Sequence, residues 1–268
     1  MSRTPLAAVP HGPVVVPEAV RRVAGGSAGH EGTAAAVEPV PVWRNEAGGL
    51  TFRLGPESGA STRYVKWAPV GAADLDLAAE AVRLRWASPF TPVPPVLDAG
   101  EDADGSWLVT AAVPGASAVD PVWLDRPRDA VRAIGEGLRA LHDALPVDGC
   151  PFGWGVDERL ARSVADGVHT DAERAAALRA RAPDVDRLVV CHGDACAPNT
   201  LLTDDGRWSA HVDLGRLGVA DRWADLAVAT WSTQWNYGPG WEDELLAAYG
   251  VAPDPDRTAF YRELWDAT

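Results

Sequence analysis

Apolar residues recur along this chain with two periods, and the point where one gives way to the other divides it. Val37 to Trp43, Leu50 to Leu54 and Thr62 to Trp67 read as three strands of an antiparallel sheet, with Val96 to Asp98 and Trp107 to Val113 as later strands. The turn Arg44-Asn-Glu-Ala-Gly-Gly49 joins the first two. Its amides are able to cover phosphates, and a plain hairpin turn accounts for it equally well. Ala72 to Ala87 reads as a helix ended before Pro89, with Leu77, Ala81 and Leu84 as its inward stripe. Thr91-Pro-Val-Pro-Pro95 is a stiff connector. Val113-Pro-Gly115 then breaks the strand pattern and helical spacing takes over. Residues 1–113 are expected to form a sheet-bearing N-terminal lobe, and residues 114–268 a mostly helical C-terminal lobe. The first forty residues are rich in Ala, Gly, Pro and Val and are expected to be partly ordered, with a short helix at Pro17 to Ala24.

In the second part Pro127 suits a helix first turn, and Val131, Ile134, Leu138, Leu141 and Leu145 give a buried stripe. Asp157 to Ala182 predicts one or two helices; Ala220 to Thr233, Gly240 to Tyr249 and Pro255 to Ala267 predict three more. Between them lie two short apolar runs, one leading into His192-Gly193-Asp194 and one ending at Asp213, expected to be adjacent strands.

The polar residues at the ends of those runs carry the chemistry. Asn199 follows Asp194 by five positions, and Asp213 is followed by Leu214 and Gly215, giving H-x-D-x-x-x-x-N and then D-x-G. Phosphoryl transfer needs one Asp to orient and deprotonate a hydroxyl, and an Asn and an Asp to hold Mg²⁺ on the phosphates. A single Asp or Asn in a turn more often caps a helix or bonds its own backbone. The spaced set between two apolar runs is hard to explain that way. His192 is expected to pin the loop through hydrogen bonds rather than to move protons.

Lys66 is the only lysine among 24 basic residues. A chain so rich in Ala, Arg, Gly, Pro and Val points to GC-rich coding, which turns Lys into Arg wherever either serves. The position that stayed Lys is a candidate for needing a compact ammonium. Glu80 lies at the edge of the inward stripe of the following helix, and a carboxylate turned towards a core needs a partner. Lys66, on the preceding strand, is that partner, as in a kinase lysine–glutamate pair.

Composition is ordinary for a globular protein, with 47% hydrophobic residues. No apolar run reaches membrane-spanning length, and no secretion signal is read at the N-terminus. Three cysteines without metal spacing fit reduced thiols in a cytoplasm. A formal charge of −14 argues against nucleic acid and favours a cationic ligand, while a soluble acidic surface accounts for most of it.

With TRYVKWAP, EAVRLRW, WLVTAAVPG, RALHDALPVDGCPF, GRLGVADRWADLAVAT and AFYRELWDAT, the catalytic segment resembles the aminoglycoside 3′-phosphotransferases, antibiotic kinases related to protein kinases; the similarity runs, with gaps, from about Trp43 to Thr268. It implies a protein-kinase-like bilobal α+β fold with nucleotide between the lobes. It also implies Asp194 as catalytic base, Asn199 and Asp213 as Mg²⁺ ligands, and Lys66 with Glu80 as the phosphate-orienting pair. The Ala111 carbonyl and Val113 amide would bind the base of ATP or GTP, and Arg216 would buttress the loop or the phosphates.

The acceptor side departs from the pattern. The family's acidic loop is thinned to Asp166-Gly-Val-His-Thr-Asp-Ala-Glu173, an Arg-Asp becomes Trp231-Ser232, and a terminal acidic pair becomes Trp265-Asp266, ahead of Thr268. Trp231, Trp235, Trp265, Asp266 and Thr268 are the candidate substrate residues, with packing between the C-terminal helices as the commoner role for each Trp. The expected activity is phosphorylation of an antibiotic hydroxyl, giving resistance. A less cationic natural product such as a nucleoside antibiotic, or a small metabolite, stays open as the acceptor. A catalytically silent nucleotide-binding protein fits less well, because Lys66, Glu80, Asp194, Asn199 and Asp213 are all in place. A protein kinase would need an activation-loop insertion after Asp213.

Overall fold

The computed structural model describes residues 7–8, 10, 12–25, 37–45, 48–72, 75–167 and 170–268. The chain divides into two compact units, one formed by Met1–Ser88 with Pro94–Val113, the other by Pro89–Val93 with Pro114–Thr268.

The first unit is built on a six-stranded antiparallel sheet in the order β1-β2-β3-β4-β6-β5. Its elements are β1 (Ala7–Ala8), α1 (Glu18–Ala24), β2 (Val40–Asn45), β3 (Leu50–Leu54), β4 (Arg63–Pro69), α2 (Leu77–Ala87), β5 (Val96–Glu101) and β6 (Gly105–Ala111). Alternation along the strands sets the two faces. Leu50, Phe52, Leu54, Val65 and Val109 bury one face against Val20 and Ala24 of α1. Lys66, next to Val65, projects to the opposite face, where α2 packs on β4, β5 and β6. Asp76 caps α2 by accepting from the Ala79 amide, so the helix starts at Leu77 rather than at Ala72. The tip of the turn between β2 and β3, residues 46–47, lies outside the described residues. Its base is closed by Asn45 Oδ1, which accepts from the Gly49 amide at 2.7 Å.

The second unit contains β7 (Ala116–Ser117), α3 (Pro121–Leu124), α4 (Pro127–Ala144), α5 (Val156–Asp166), α6 (Ala172–Ala180), β8 (Leu188–Cys191), a 3₁₀ turn (Ala197–Asn199), β9 (Thr200–Leu202), β10 (Trp208–His211), β11 (Gly218–Asp221), α7 (Trp223–Tyr237), α8 (Glu242–Tyr249) and α9 (Pro255–Ala267). The apolar stripe of α4 is fully buried. A Cβ at Gly135 would lie 2.5 Å from the Leu245 carbonyl, so glycine lets α4 and α8 approach backbone to backbone.

Two sequence expectations change here. Ala220 and Asp221 belong to β11, paired with β8, and α7 begins only at Trp223. The strand that runs into His192-Gly193-Asp194 and the strand that ends before Asp213 are also not ladder neighbours. β8 pairs with β11, whereas β10 pairs with β9 and, through it, β7. Loop and side-chain bonds, not a shared ladder, bring their ends together.

Candidate active site

β8 ends at Cys191 and the chain turns through His192, Gly193 and Asp194. Gly193 has φ +83°, and a Cβ there would meet the Arg216 carbonyl oxygen at 2.1 Å, so only glycine permits the 213–216 segment to cross the loop so closely. The His192 ring has both nitrogens engaged. Nε2 faces the Val212 carbonyl at 2.9 Å, which can only accept, so Nε2 carries the hydrogen, and Nδ1 accepts from the Asp194 amide at 3.2 Å. His192 thus ties the strand before Asp194 to the residue before Asp213, as expected of a pinning residue.

Asn199 closes the loop from the far side. Its Nδ2 donates to the Asp194 carbonyl at 2.9 Å and to Asp194 Oδ2 at 3.1 Å. That orientation points Asn199 Oδ1, an acceptor, away from Asp194. Asp194 Oδ1 is buried with no hydrogen-bond partner among the described residues. The Val212 amide donates to the Asn199 carbonyl at 3.0 Å, which sets Asp213 beside Asn199. Asp213 has φ +65°, the only positive φ of a non-glycine residue among the described residues. Such a conformation costs an L-residue energy and persists only where its surroundings impose it. An amide oxygen, a carboxylate and an orphaned carboxylate oxygen are hard donors of the kind Mg²⁺ takes.

Beneath the loop sits a residue that the sequence reading missed. Asp225, fully buried in the first turn of α7, accepts from the His192 amide through Oδ2 at 2.6 Å and from the Gly193 amide through Oδ1 at 2.9 Å. His142 Nε2 lies 2.9 Å from the same Oδ2, and His142 Nδ1 faces the Tyr249 hydroxyl at 2.9 Å. Burial alone would raise the Asp225 pKa, but the bond and charge of His142, with His192 and the Gly193 amide, hold it below the ordinary carboxylate value. Cys191, His142 and Asp225 cluster as metal ligands do, but each is already hydrogen-bonded within the protein, Cys191 to the Asp221 carbonyl. Burial, then the Asp194 charge, pushes the Cys196 thiol well up, so it is not a thiolate nucleophile.

On α7, Ser232 Oγ accepts from the Ala197 amide at 2.9 Å, inside the loop between Asp194 and Asn199. Asn236 Nδ2 holds it by bonding Ser232 O at 2.8 Å and Oγ at 3.2 Å. Trp231 and Trp235, on the same helix, lie with ring centroids 5.0 Å apart. Trp265 lies instead beneath two guanidiniums, Arg216 at 5.5 Å and Arg159 at 6.0 Å, which also stack on Trp154. Arg216 therefore braces the segment after Asp213 against α9. Thr268 Oγ1 accepts from buried Arg159, whose pKa is pushed down to about 9 by burial and then by Arg216. Asp266 is exposed. In the thinned acidic segment, residues 168–169 lie outside the described residues, and Asp171 serves as the α6 cap by accepting from the Arg174 amide.

In the first unit, Lys66 Nζ and Glu80 Oε1 are 2.6 Å apart, with Glu80 nearly fully buried. Ala111 ends β6; its own amide bonds the Pro95 carbonyl, and the Val113 amide takes no backbone bond among the described residues.

A sheet-bearing unit with a strand lysine paired to a helix glutamate, and a helical unit with an Asp–Asn pair beside a second Asp, define a protein-kinase-like phosphotransferase fold. The chain belongs to the phosphotransferase enzyme family, whose model matches residues 44–261. It is 39% identical to an aminoglycoside 3′-phosphotransferase of Streptomyces fradiae over 248 residues, 82% of this chain and 91% of that protein. It is 38% identical to a streptomycin 3″-kinase of Streptomyces griseus, covering 83% of this chain and 89% of that one. Among solved structures it resembles an aminoglycoside 3′-phosphotransferase of type VIII, with a TM-score of 0.73, 32% identity and coverage of 88% and 95%. It also resembles an aminoglycoside phosphotransferase from Streptomyces rimosus in complex with ADP and streptomycin, with a TM-score of 0.66, 33% identity and coverage of 92% and 95%.

Proposed function

We propose that this protein transfers the γ-phosphoryl group of ATP or GTP to a hydroxyl of an aminoglycoside, with Mg²⁺ as cofactor. The observation that carries the reading is the bond from Asn199 to Asp194, with Asp213 set beside it, in a chain whose relatives include both 3′- and 3″-kinases. Asp194 is the base. Its carboxylate takes the proton of the acceptor hydroxyl as the new O–P bond forms and the bond to the leaving nucleoside diphosphate breaks. Asn199 Oδ1 and the Asp213 carboxylate are the residues that would hold Mg²⁺, which neutralises phosphate charge when bound. Lys66, fixed by Glu80, orients the phosphates, and the Ala111 carbonyl and Val113 amide bind the base.

Identities of 39% to the 3′-kinase and 38% to the 3″-kinase do not separate the two acceptor hydroxyls. A coupled ADP-release assay over neomycin-type, kanamycin-type and streptomycin acceptors, followed by NMR of the phosphorylated product, tests the proposal. Acceptor-dependent turnover with any of these drugs is expected. No turnover with any of them, alongside turnover of a nucleoside antibiotic or a small metabolite, replaces the aminoglycoside reading.

A further inference from the structure

In α7, Trp223 to Thr230 are all buried, as are Ser232 and Thr233, yet Trp235 leaves 45% of its surface exposed. A lone exposed indole on a surface means little. This one is not alone. It stacks on Trp231 with rings tilted by 44°. Both sit on the helix that also carries Ser232, the residue that grips the Ala197 amide in the loop between Asp194 and Asn199. The helix turn that bears the pair is therefore tied through Ser232 to the loop that would carry the base.

Its charge environment is close to neutral. The guanidinium of Arg262 lies over Trp231 at 5.6 Å and is itself paired with Glu242 at 3.3 Å and bonded to Ala227 O and Thr230 Oγ1. Gln234 also bonds Glu242. The Ser232 hydroxyl is committed to the loop, so this stretch of α7 offers an aromatic surface and no free carboxylate.

We infer that Trp231 and Trp235 form the wall against which a ring of the acceptor stacks, reading the C–H face of a sugar or cyclitol rather than its ammonium groups. The inference rests on the aminoglycoside reading above and narrows it to acceptors that present an apolar ring face. Arg262 and Glu242 fix Trp231, which in turn sets the angle of the exposed Trp235.

The test is Trp235→Ala, with Trp235→Phe as the conservative partner, assayed with the best drug of the acceptor panel. Trp235 is exposed enough for the substitution to fold. Loss of a stacking face is expected to raise the acceptor KM roughly tenfold. The nucleotide KM should stay unchanged, and Phe should recover most of the loss. The ratio between wild type and Trp235→Ala should hold from about 0.05 to about 0.5 M salt, because stacking is not screened. An unchanged acceptor KM in Trp235→Ala, while the wild type turns over, overturns this inference alone. A KM effect that vanishes at high salt also overturns it, by assigning the role to charge. If the wild type phosphorylates no aminoglycoside, the proposed function fails separately. In that case equal tryptophan quenching of wild type and Trp235→Ala by the panel drugs removes the wall as well.

Discussion

At the scale of single residues, His192, Asp194, Asn199 and Asp225 are each held by more than one bond. Asp194 is fixed by its own amide to His192 and by Asn199 at its carbonyl and Oδ2, which leaves Oδ1 as the uncommitted atom. Asp194→Asn keeps the shape and removes the proposed base. Turnover is expected to fall by about 10²–10⁴, the usual contribution of a positioned base, while nucleotide affinity measured by titration calorimetry stays nearly intact. Near-wild-type turnover would remove Asp194 from that role. Gly193→Ala makes the opposite case, a residue with no chemistry and no room. Its φ of +83° and the Arg216 oxygen 2.1 Å from the new Cβ force the loop or the 213–216 segment to move. Turnover should collapse, with the nucleotide KM rising where the 213–216 segment that carries Asp213 is the part that moves, and full activity in the alanine variant would show that the crossing is slack.

What the sequence disclosed at this scale followed from spacing. The Asp194, Asn199 and Asp213 pattern is local, and so is the strand lysine with a helix glutamate after it. Asp225 offered the same signal as Glu80, an acid inside an apolar helical run, Trp223-Ala-Asp-Leu-Ala-Val-Ala-Thr230. It was not read, because its partners are the backbone amides of residues 192 and 193 and a histidine on α4. Backbone acceptor needs leave no mark in the side-chain sequence.

At the scale of elements, Asp225 joins α7, α4 and the catalytic loop through one carboxylate. Asp225→Ala would leave two loop amides and His142 Nε2 without their acceptor. Breaking such a buried pair typically costs about 3–5 kcal/mol. In a domain of this size each kcal/mol shifts the midpoint by roughly 2–4 °C, so scanning calorimetry should show a fall of about ten degrees. The pH dependence follows from the sign of its shift. A carboxyl held below its unfolded pKa gives stability that is present above the ordinary carboxylate value and lost as pH falls through the lowered one. The acid side of the stability curve should therefore be shallower in Asp225→Ala than in wild type, and identical acid limbs would contradict the assignment. On β4 and α2, Lys66→Ala should weaken nucleotide binding and turnover together. Lys66→Arg should not restore them, since a planar fork does not replace a compact ammonium. Unchanged nucleotide affinity in Lys66→Ala would count against the pair.

Periodicity located most elements because tertiary burial follows it. The stripe of α4 and the strands β3 and β4 lie close to where alternation and helical spacing put them. It failed where a short strand runs straight into a helix. Gly218 to Asp221 is apolar enough for either state, and only pairing with β8 decides for strand. The same non-local pairing put β8 and β10 in different sheets, which no local pattern reveals.

At the scale of the whole molecule, the formal charge of −14 meets a proposed acceptor that is a polycation and a nucleotide that is a polyanion. Long-range attraction raises the encounter rate of the first and opposes that of the second, and both effects fade as salt shortens the Debye length from about 14 Å near 0.05 M to about 4 Å near 0.5 M. The specificity constant kcat/KM for a multiply charged aminoglycoside should therefore fall as salt rises, and more steeply for a drug with more ammonium groups. With Mg²⁺ held constant and saturating, kcat/KM for nucleotide should stay level or improve. Steady-state kinetics across that range, with drugs of graded charge, read the effect directly. The stacking contribution of Trp235 multiplies the constant at every salt concentration, whereas the net charge sets its slope. A kcat/KM that ignores salt for all drugs would mean that the acidic surface lies away from the path of the acceptor and serves solubility alone.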